Sequence, residues 1–124
     1  MRFMIPFALL LTGAAQEAPP LSIAVFLSQW HAAQVVTDRG QKAAMFTRLA
    51  ERLAPSVTRY KALLDADKAA GRRPRACPAK GSTADLDIAA LAVELEALPA
   101  AQRTQSMDAP IFAKLDKRFP CPTA

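Results

Sequence analysis

The sequence contains few of the residues from which catalytic and metal-binding sites are built. Its 124 residues include one histidine and two cysteines. A zinc site needs three or four ligands, and a catalytic triad needs a base beside a nucleophile and an orienting group, so His31 alone supports neither. The acids Asp85 and Asp87 lie two residues apart, as do Glu94 and Glu96, and such side chains point away from each other on a helix. We therefore expect solvated acidic faces and no enzyme, metal or cofactor.

Long apolar runs and strand-like patterns are also absent from the sequence. No apolar run reaches the roughly 20 residues that a membrane-spanning helix requires. No segment alternates apolar and polar residues over a strand length, whereas alanine and leucine are abundant. These features predict an all-α protein without stable membrane insertion.

The first 15 residues have the pattern of a secretory signal peptide. Arg2 precedes about ten apolar residues, and small residues follow as far as Ala15. A buried N-terminal helix is the alternative, but Pro6 suits a helix interior poorly. We expect cleavage after Ala15, which would leave one mature domain over residues 16–124, located in the periplasm.

Positive charge is concentrated in the first part of the predicted mature chain. Residues 16–80 contain 11 basic and 5 acidic residues, whereas residues 81–124 contain 4 and 6, so the two parts carry +6 and −2. Four basic residues form a cluster: Arg72, Arg73, Arg75 and Lys80. An exported protein rarely meets nucleic acid, and no aromatic residues are interleaved with this cluster. We therefore expect an acidic protein partner and no nucleic acid.

Apolar residues at helical spacing predict a bundle of four to five helices. In the first helix, the expected N-cap is Ser22 and the inward face contains Ile23, Phe26, Leu27 and Trp30. Asp38 is the expected cap of a second helix that ends near Ala54. A third helix begins around Pro55 and ends at Gly71. One long helix kinked at Pro55 is the alternative.

Two further helices follow a loop over residues 71–82 that is rich in glycine, proline and positive charge. The first is expected over residues 83–98, with Ser82 or Thr83 as cap, and its broad apolar stripe predicts a largely enclosed helix. The last is expected over residues 108–118, with Asp108 or Ser106 as cap. Its inward side chains would be Ile111, Phe112 and Leu115.

The two cysteines lie in the loop and beyond the last predicted helix. Cys77 and Cys121 would form a disulfide in an oxidising compartment, whereas a redox-active pair is more often spaced Cys-x-x-Cys. Closing a loop of about 45 residues stabilises the fold by about 4 kcal/mol in the chain-entropy treatment. We predict a structural bond that closes the bundle.

Three short segments of the second half form a pattern known from one family. They are residues 75–83, with a cysteine-proline pair before a threonine, residues 95–99, with a leucine-proline break, and the phenylalanine-proline-cysteine of residues 119–121. In these segments the chain resembles the Rap/Tai family, whose members are periplasmic immunity proteins that neutralise peptidoglycan amidase effectors delivered by type VI secretion. The resemblance covers residues 75–121. It implies the Cys77–Cys121 disulfide and a non-enzymatic protein that occludes the active site of a toxin.

A different function fits the same sequence. Small helical disulfide proteins also act as general periplasmic stress or chaperone-like proteins, which bind many clients through surface exposed on unfolding. Low pH separates the two functions, because a dedicated immunity protein need not unfold and expose apolar surface in acid. Both functions require a protein partner, and both are compatible with a homodimer.

Overall fold

The computed structural model describes residues 20–82 and 86–122, so the predicted signal peptide lies outside the described residues. The elements are α1 (Ile23–Gln34), α2 (Arg39–Ala69), α3 (Ile88–Glu96), a 3-10 helix (Ala100–Thr104) and α4 (Asp108–Arg118). Within the described ranges no strand is present, and one isolated antiparallel bridge joins Ser22 to Ser106. The all-α prediction is confirmed.

The first two helices begin at the residues that the sequence indicates. Ser22 Oγ accepts a hydrogen bond from the backbone N–H of Val25 at 3.1 Å. Asp38 Oδ2 accepts one from the N–H of Gln41 at 2.8 Å. Each side chain satisfies one of the backbone donors that a helix N-terminus leaves without a partner. Both predicted N-caps are confirmed.

Helix α2 is continuous, so the predicted break before Pro55 is wrong and the alternative of one long helix holds. Its 31 residues span about 46 Å. The buried side chains Leu49, Leu53, Ser56 and Tyr60 form one stripe that passes the proline. Pro55 itself is exposed, so the carbonyl that loses its helical partner can be hydrated. Packing on both sides of the proline keeps the helix intact.

Helix α3 begins later than predicted. Asp87 is its N-cap, and Asp87 Oδ1 accepts a hydrogen bond from the N–H of Ala90 at 3.1 Å. The expected cap Ser82 instead donates its hydroxyl to the carbonyl of Ala79 at 2.6 Å. Thr83, the other expected cap, lies outside the described residues.

The prediction that α3 is largely enclosed is also wrong. Leu91, Ala92 and Leu95 are buried, but Val93 is 69% exposed. Among the helices, α3 packs mainly against α1, so its other face lies in solvent. The exposed part of the apolar stripe is mostly alanine, at positions 89, 90 and 97, and alanine is tolerated at a helix surface.

Helix α4 has the predicted bounds, Asp108–Arg118. Its N-cap position is Met107, without a side-chain cap bond, so the predicted cap at Asp108 or Ser106 is wrong. Ser106 Oγ nevertheless accepts a hydrogen bond from the N–H of Asp108 at 3.0 Å, within the first turn. Of the expected inward residues, Ile111 and Leu115 are buried and Phe112 is half-buried. All three predicted inward positions therefore contribute to the packed face.

The core lies where α1 and α4 pack against α2. Its largest fully buried side chains are Phe26, Ile23, Leu91, Met107, Ile111 and Leu115. Two backbone hydrogen bonds beside this core join the starts of α1 and α4. The N–H of Ile23 donates to the carbonyl of Gln105 at 2.9 Å, and the N–H of Met107 donates to the carbonyl of Leu21 at 2.7 Å. At the other end of α4, the chain meets the loop over residues 71–82, which contains Cys77 and which we call the cysteine loop.

Candidate binding surface at the disulfide loop

The cysteine loop begins with a tight reversal of the chain at the end of α2. Gly71 has φ +72°, a conformation that favours glycine. Its N–H donates to the carbonyl of Lys68 at 3.2 Å, and the N–H of Arg72 donates to that of Asp67 at 2.8 Å. These two bonds form a Schellman motif, which satisfies carbonyls that the helix end leaves without partners. The loop therefore leaves α2 in a fixed direction.

The loop is joined to the end of α4 by the predicted disulfide. Cys77 and Cys121, which lie 44 positions apart in the sequence, are bonded, with their Cα atoms 4.7 Å apart. Next to this bond, the N–H of Cys77 donates to the carbonyl of Phe119 at 2.8 Å. The preceding Ala76 is only 1% exposed. A covalent bond, a backbone hydrogen bond and a buried methyl group thus hold the middle of the loop.

A charged cluster of Tyr60, Arg75 and Asp116 fixes the loop to both α2 and α4. Arg75 Nη2 donates to Asp116 Oδ2 at 2.7 Å, and Tyr60 Oη donates to Asp116 Oδ1 at 2.6 Å. The Arg75 guanidinium also lies 5.6 Å from the centre of the Tyr60 ring and 5.4 Å from that of Phe112, within cation–π range. The hydrogen bond from Arg75 lowers the pKa of Asp116, while burial raises the pKa of Tyr60 above its ordinary value.

A second charged cluster, Ser56, Arg59 and Asp108, joins α2 to the start of α4. Arg59 donates from Nε to Asp108 Oδ2 at 2.8 Å and from Nη2 to Oδ1 at 2.7 Å, a bidentate pair. The buried Ser56 hydroxyl donates to the same carboxylate. The hydrogen bonds from Arg59 hold the pKa of Asp108 below its ordinary value, and Ser56 acts in the same direction. Asp108 also lies in the first turn of α4, where the helix dipole favours a negative charge.

An open groove of about 680 Å³ lies between the second half of α2 and the loop, and we name it the α2/loop groove. On the helix side it is lined by Lys61, Leu64, Asp65 and Lys68. On the loop side it is lined by Arg72, Pro74, Ala76 and Pro78. A small cavity of about 40 Å³ adjoins the groove, with Leu64 and Pro78 among the residues that line both, and we call it the narrow extension. It is also lined by Val57, Leu115 and Phe119. Apolar side chains therefore form the inner surface, and charged side chains lie around it.

The predicted basic cluster is divided by the fold. Arg72 lines the groove and pairs with Asp67 at 3.1 Å, whereas Arg75 is committed to Asp116. Arg73 donates to the carbonyl of Pro122 at 3.4 Å, and Lys80 is exposed. The charge of the groove comes instead from one member of the cluster together with two lysines of α2 that the sequence did not single out.

Of the chemistry-bearing residues that we considered for catalysis, the structure brings His31 and Glu96 together at the surface, while Asp85 lies outside the described residues. His31 is exposed, and its Nε2 lies 3.3 Å from Glu96 Oε1. Glu94 pairs with Lys114 at 2.5 Å, and Asp87 caps α3. In the two described stretches, no group of three or more His, Cys, Asp or Glu side chains is placed to hold a metal ion. The expected solvated acidic face at Glu94 and Glu96 is present.

The sequence did not predict the charged clusters, because each joins residues 41 or more positions apart. It did not predict the groove, because the groove depends on how the loop folds back on α2. One usable signal was Ser56, a polar residue in the apolar stripe of α2 at the third position after Leu53. A polar side chain on a buried helix face requires a hydrogen-bond partner. That requirement predicts a partner but not its identity, which is Asp108, 52 residues further on.

Comparison of the chain with protein-family models, curated proteins and solved structures gives no match. Of the helices in residues 20–82 and 86–122, none has both the length and the apolar content needed to cross a membrane.

Proposed function

We propose that this chain is an exported, non-enzymatic binding protein that neutralises a peptidoglycan amidase effector by occluding its active site, as members of the Rap/Tai family do. The observation that carries the proposal is the cysteine loop. It is the segment in which the sequence resemblance begins, and it forms a fixed, basic surface on a helical support. Its closing disulfide joins the two cysteines on which the resemblance rests.

Rigidity of the loop favours an inhibitory role over loose client binding. Occlusion of an active site works best when the inhibitor loses little conformational entropy on binding. The disulfide, the Cys77–Phe119 hydrogen bond and the Arg75–Asp116 pair restrict the loop before any partner arrives. Interfaces of pre-organised inhibitors move little between their free and bound states.

Export is the second part of the proposal. The leader pattern of residues 1–15 precedes a region that contains a disulfide, and disulfides persist in oxidising compartments such as the periplasm. The mass of the protein recovered from periplasm under non-reducing conditions tests both features. Loss of residues 1–15 and of two hydrogens is expected. An uncleaved chain with two free thiols would contradict export.

The inhibitory function is tested with the natural partner. A tagged chain is expressed in its own host, cross-linked in the periplasm and recovered, and the captured protein is identified and purified. We expect a hydrolase that cleaves amide bonds of peptidoglycan and loses activity when one equivalent of the chain is added. A captured hydrolase that stays fully active in a stoichiometric complex would contradict the proposal.

Behaviour at low pH distinguishes the chaperone-like function from the inhibitory function. The pKa values of Asp108 and Asp116 lie below the ordinary value, so their ion pairs persist into more acidic solution than free carboxylates would allow. We therefore expect no dye-binding apolar surface at mildly acidic pH. Suppression of client aggregation at pH 4 to 5, accompanied by dye binding, would favour the chaperone-like function.

A further inference from the structure

We propose that the α2/loop groove binds an acidic, extended peptide segment of the partner protein, with a small apolar side chain of that segment in the narrow extension of the groove. The inference rests on the proposed function in taking a protein as the partner, and it adds where and through what chemistry that partner is held.

Charge around the groove selects an acidic ligand. Lys61, Lys68 and Arg72 line it, with Asp65 as the one acidic side chain among the lining residues. In the part of the chain that the structure describes, neither lysine makes an ion pair. Arg72 is held in place by Asp67 and keeps an exposed side chain. The groove thus offers three cationic groups, two of them without an acidic neighbour in contact.

The inner surface of the groove selects against a simple anion. It is formed by Leu64, Ala76 and the two loop prolines, and the extension continues between Val57, Leu115 and Phe119. A phosphate or sulfate ion would leave this surface uncovered, whereas a peptide can place an apolar side chain against it and its carboxylates near the lysines. Apolar contact fixed by a few polar groups is the usual composition of a binding pocket.

The distance between Lys61 and Lys68 determines the expected spacing of the acidic residues in the bound peptide. Lys61 and Lys68 are seven positions apart on α2, so their backbones are separated by about 10.5 Å along the helix. An extended polyproline-type segment advances about 3.1 Å per residue and returns to the same face every third residue, which gives about 9.3 Å for positions i and i+3. We therefore expect two acidic residues three positions apart, with an apolar residue between them.

The probe for the test is a phage library of random twelve-residue peptides, selected against the oxidised protein comprising residues 16–124. Enriched sequences are expected to contain the acidic pair with an intervening apolar residue. The Lys61→Glu, Lys68→Glu double variant is expected to bind a selected peptide at least roughly tenfold more weakly, because attraction becomes repulsion at both sites. The Lys61→Gln, Lys68→Gln variant should show a smaller loss in the same direction.

The matched control is the Arg48→Glu, Arg52→Glu double variant. It changes the net charge by the same amount, but its residues line a different cleft, together with Ala32 of α1 and Met45 of α2. Binding is expected to stay within about twofold of the unchanged protein, a difference of less than half a kcal/mol. Equal losses in the two double variants would overturn the groove as the site, because they would indicate attraction to net charge alone.

Three further results would overturn the inference: enrichment of neutral or basic peptides, displacement of a selected peptide by inorganic phosphate at the same concentration as by free peptide, or tighter binding of an anionic glycan than of any peptide. The amidase assay keeps the two proposals apart. If the Lys61→Glu, Lys68→Glu variant still inhibits the amidase, the groove is not the binding site, and the proposed inhibitory function stands. If the groove binds specific acidic peptides but the protein does not inhibit the amidase, the groove is supported as a binding site and the proposed inhibitory function is contradicted.

Discussion

The two ends of α4 are held by different means. At its start, the surrounding chain is fixed by fully buried apolar side chains such as Phe26, Met107 and Ile111. At its end, the adjoining loop buries little beyond Ala76 and is fixed by a disulfide and by the Arg75–Asp116 pair. Apolar burial is not directional, whereas a bond and an ion pair specify geometry. We call the start of α4 the helical end and the end that adjoins the loop the loop end. The buried side chains at the helical end thus contribute most of the stability, and the bonds at the loop end give the loop a defined surface.

The strongest test of the comparison is removal of a core side chain at the helical end. Phe26 is 0% exposed, and Phe26→Ala is expected to lower the free energy of unfolding by about 4 kcal/mol, through lost burial and the cavity left behind. Urea unfolding followed by circular dichroism measures this loss. Val93→Ala, at a site 69% exposed, is the control and should change the value by less than about 0.5 kcal/mol. Similar losses in the two variants would contradict the placement of the core.

The next largest effect is expected at the loop end. Replacing both Cys77 and Cys121 by serine should lower the free energy of unfolding by about 3 kcal/mol, since the unfolded chain regains the freedom of a long loop. Helix content at 20 °C should remain close to that of the oxidised protein, because all core residues except Ala76 lie outside the loop. Far-UV circular dichroism and urea unfolding together measure both quantities. Complete loss of helix at 20 °C would contradict the claim that the helical end is stable without the disulfide of the loop end.

A smaller loss is expected at the charged cluster under α4. Asp108→Asn removes the charge that Arg59 and Ser56 surround and should lower the free energy of unfolding by about 2 kcal/mol. Asp65→Asn replaces an exposed acid and serves as the matched control, with a change below about 0.5 kcal/mol.

The Asp108→Asn variant also tests how the free energy of unfolding depends on pH. The pKa of Asp108 is lower in the folded protein than in the unfolded chain. Its contribution to the free energy of unfolding is therefore complete above the unfolded pKa of about 4 and is lost as the pH falls through the folded pKa. Asp116 contributes with the same sign. The stability of the unchanged protein should therefore be level from pH 7 to 5 and fall below pH 4, and Asp108→Asn should show a shallower fall. A steeper fall in the variant would contradict this assignment.

The smallest effect is expected at a surface ion pair between α3 and α4. Lys114 and Glu94 lie 2.5 Å apart, but their side chains are 38% and 54% exposed. Water screens such a pair, so Lys114→Ala should change the free energy of unfolding by no more than about 0.5 kcal/mol. A loss above 1 kcal/mol in thermal or urea unfolding would contradict this expectation and show that the surface pair stabilises the contact between α3 and α4.

Local signals in the sequence predict most of the helices. Ser22 and Asp38 cap the helices that follow them, because an N-cap needs only a short polar side chain before an apolar repeat. Pro55 misleads because a proline inside a helix is unfavourable in isolation, whereas packing of Leu53 and Tyr60 on either side outweighs its cost here. The start of α3 is missed because several residues before it are able to cap a helix, and Asp87 is the one that does.

The candidate surface is only partly predictable. Cys77 and Cys121 are the only cysteines, so the sequence leaves one possible intramolecular pairing, and the structure contains it. The groove does not follow, because Lys61 and Lys68 belong to a helix whose orientation toward the loop depends on tertiary packing. Arg75 shows the opposite error, since it looks like a free member of a basic cluster and is bound to Asp116, 41 positions away. Charge composition predicts the sign of a surface but not the residues that form it.

The Cys77–Cys121 bond makes the segment from 77 to 121, which contains α3 and α4, a covalent ring. A protease that nicks the ring once leaves every part of the chain attached to every other. The nicked protein keeps its full mass on a non-reducing gel and separates into two fragments only when the bond is reduced. A cut in α2, which precedes the ring, releases a fragment without reduction.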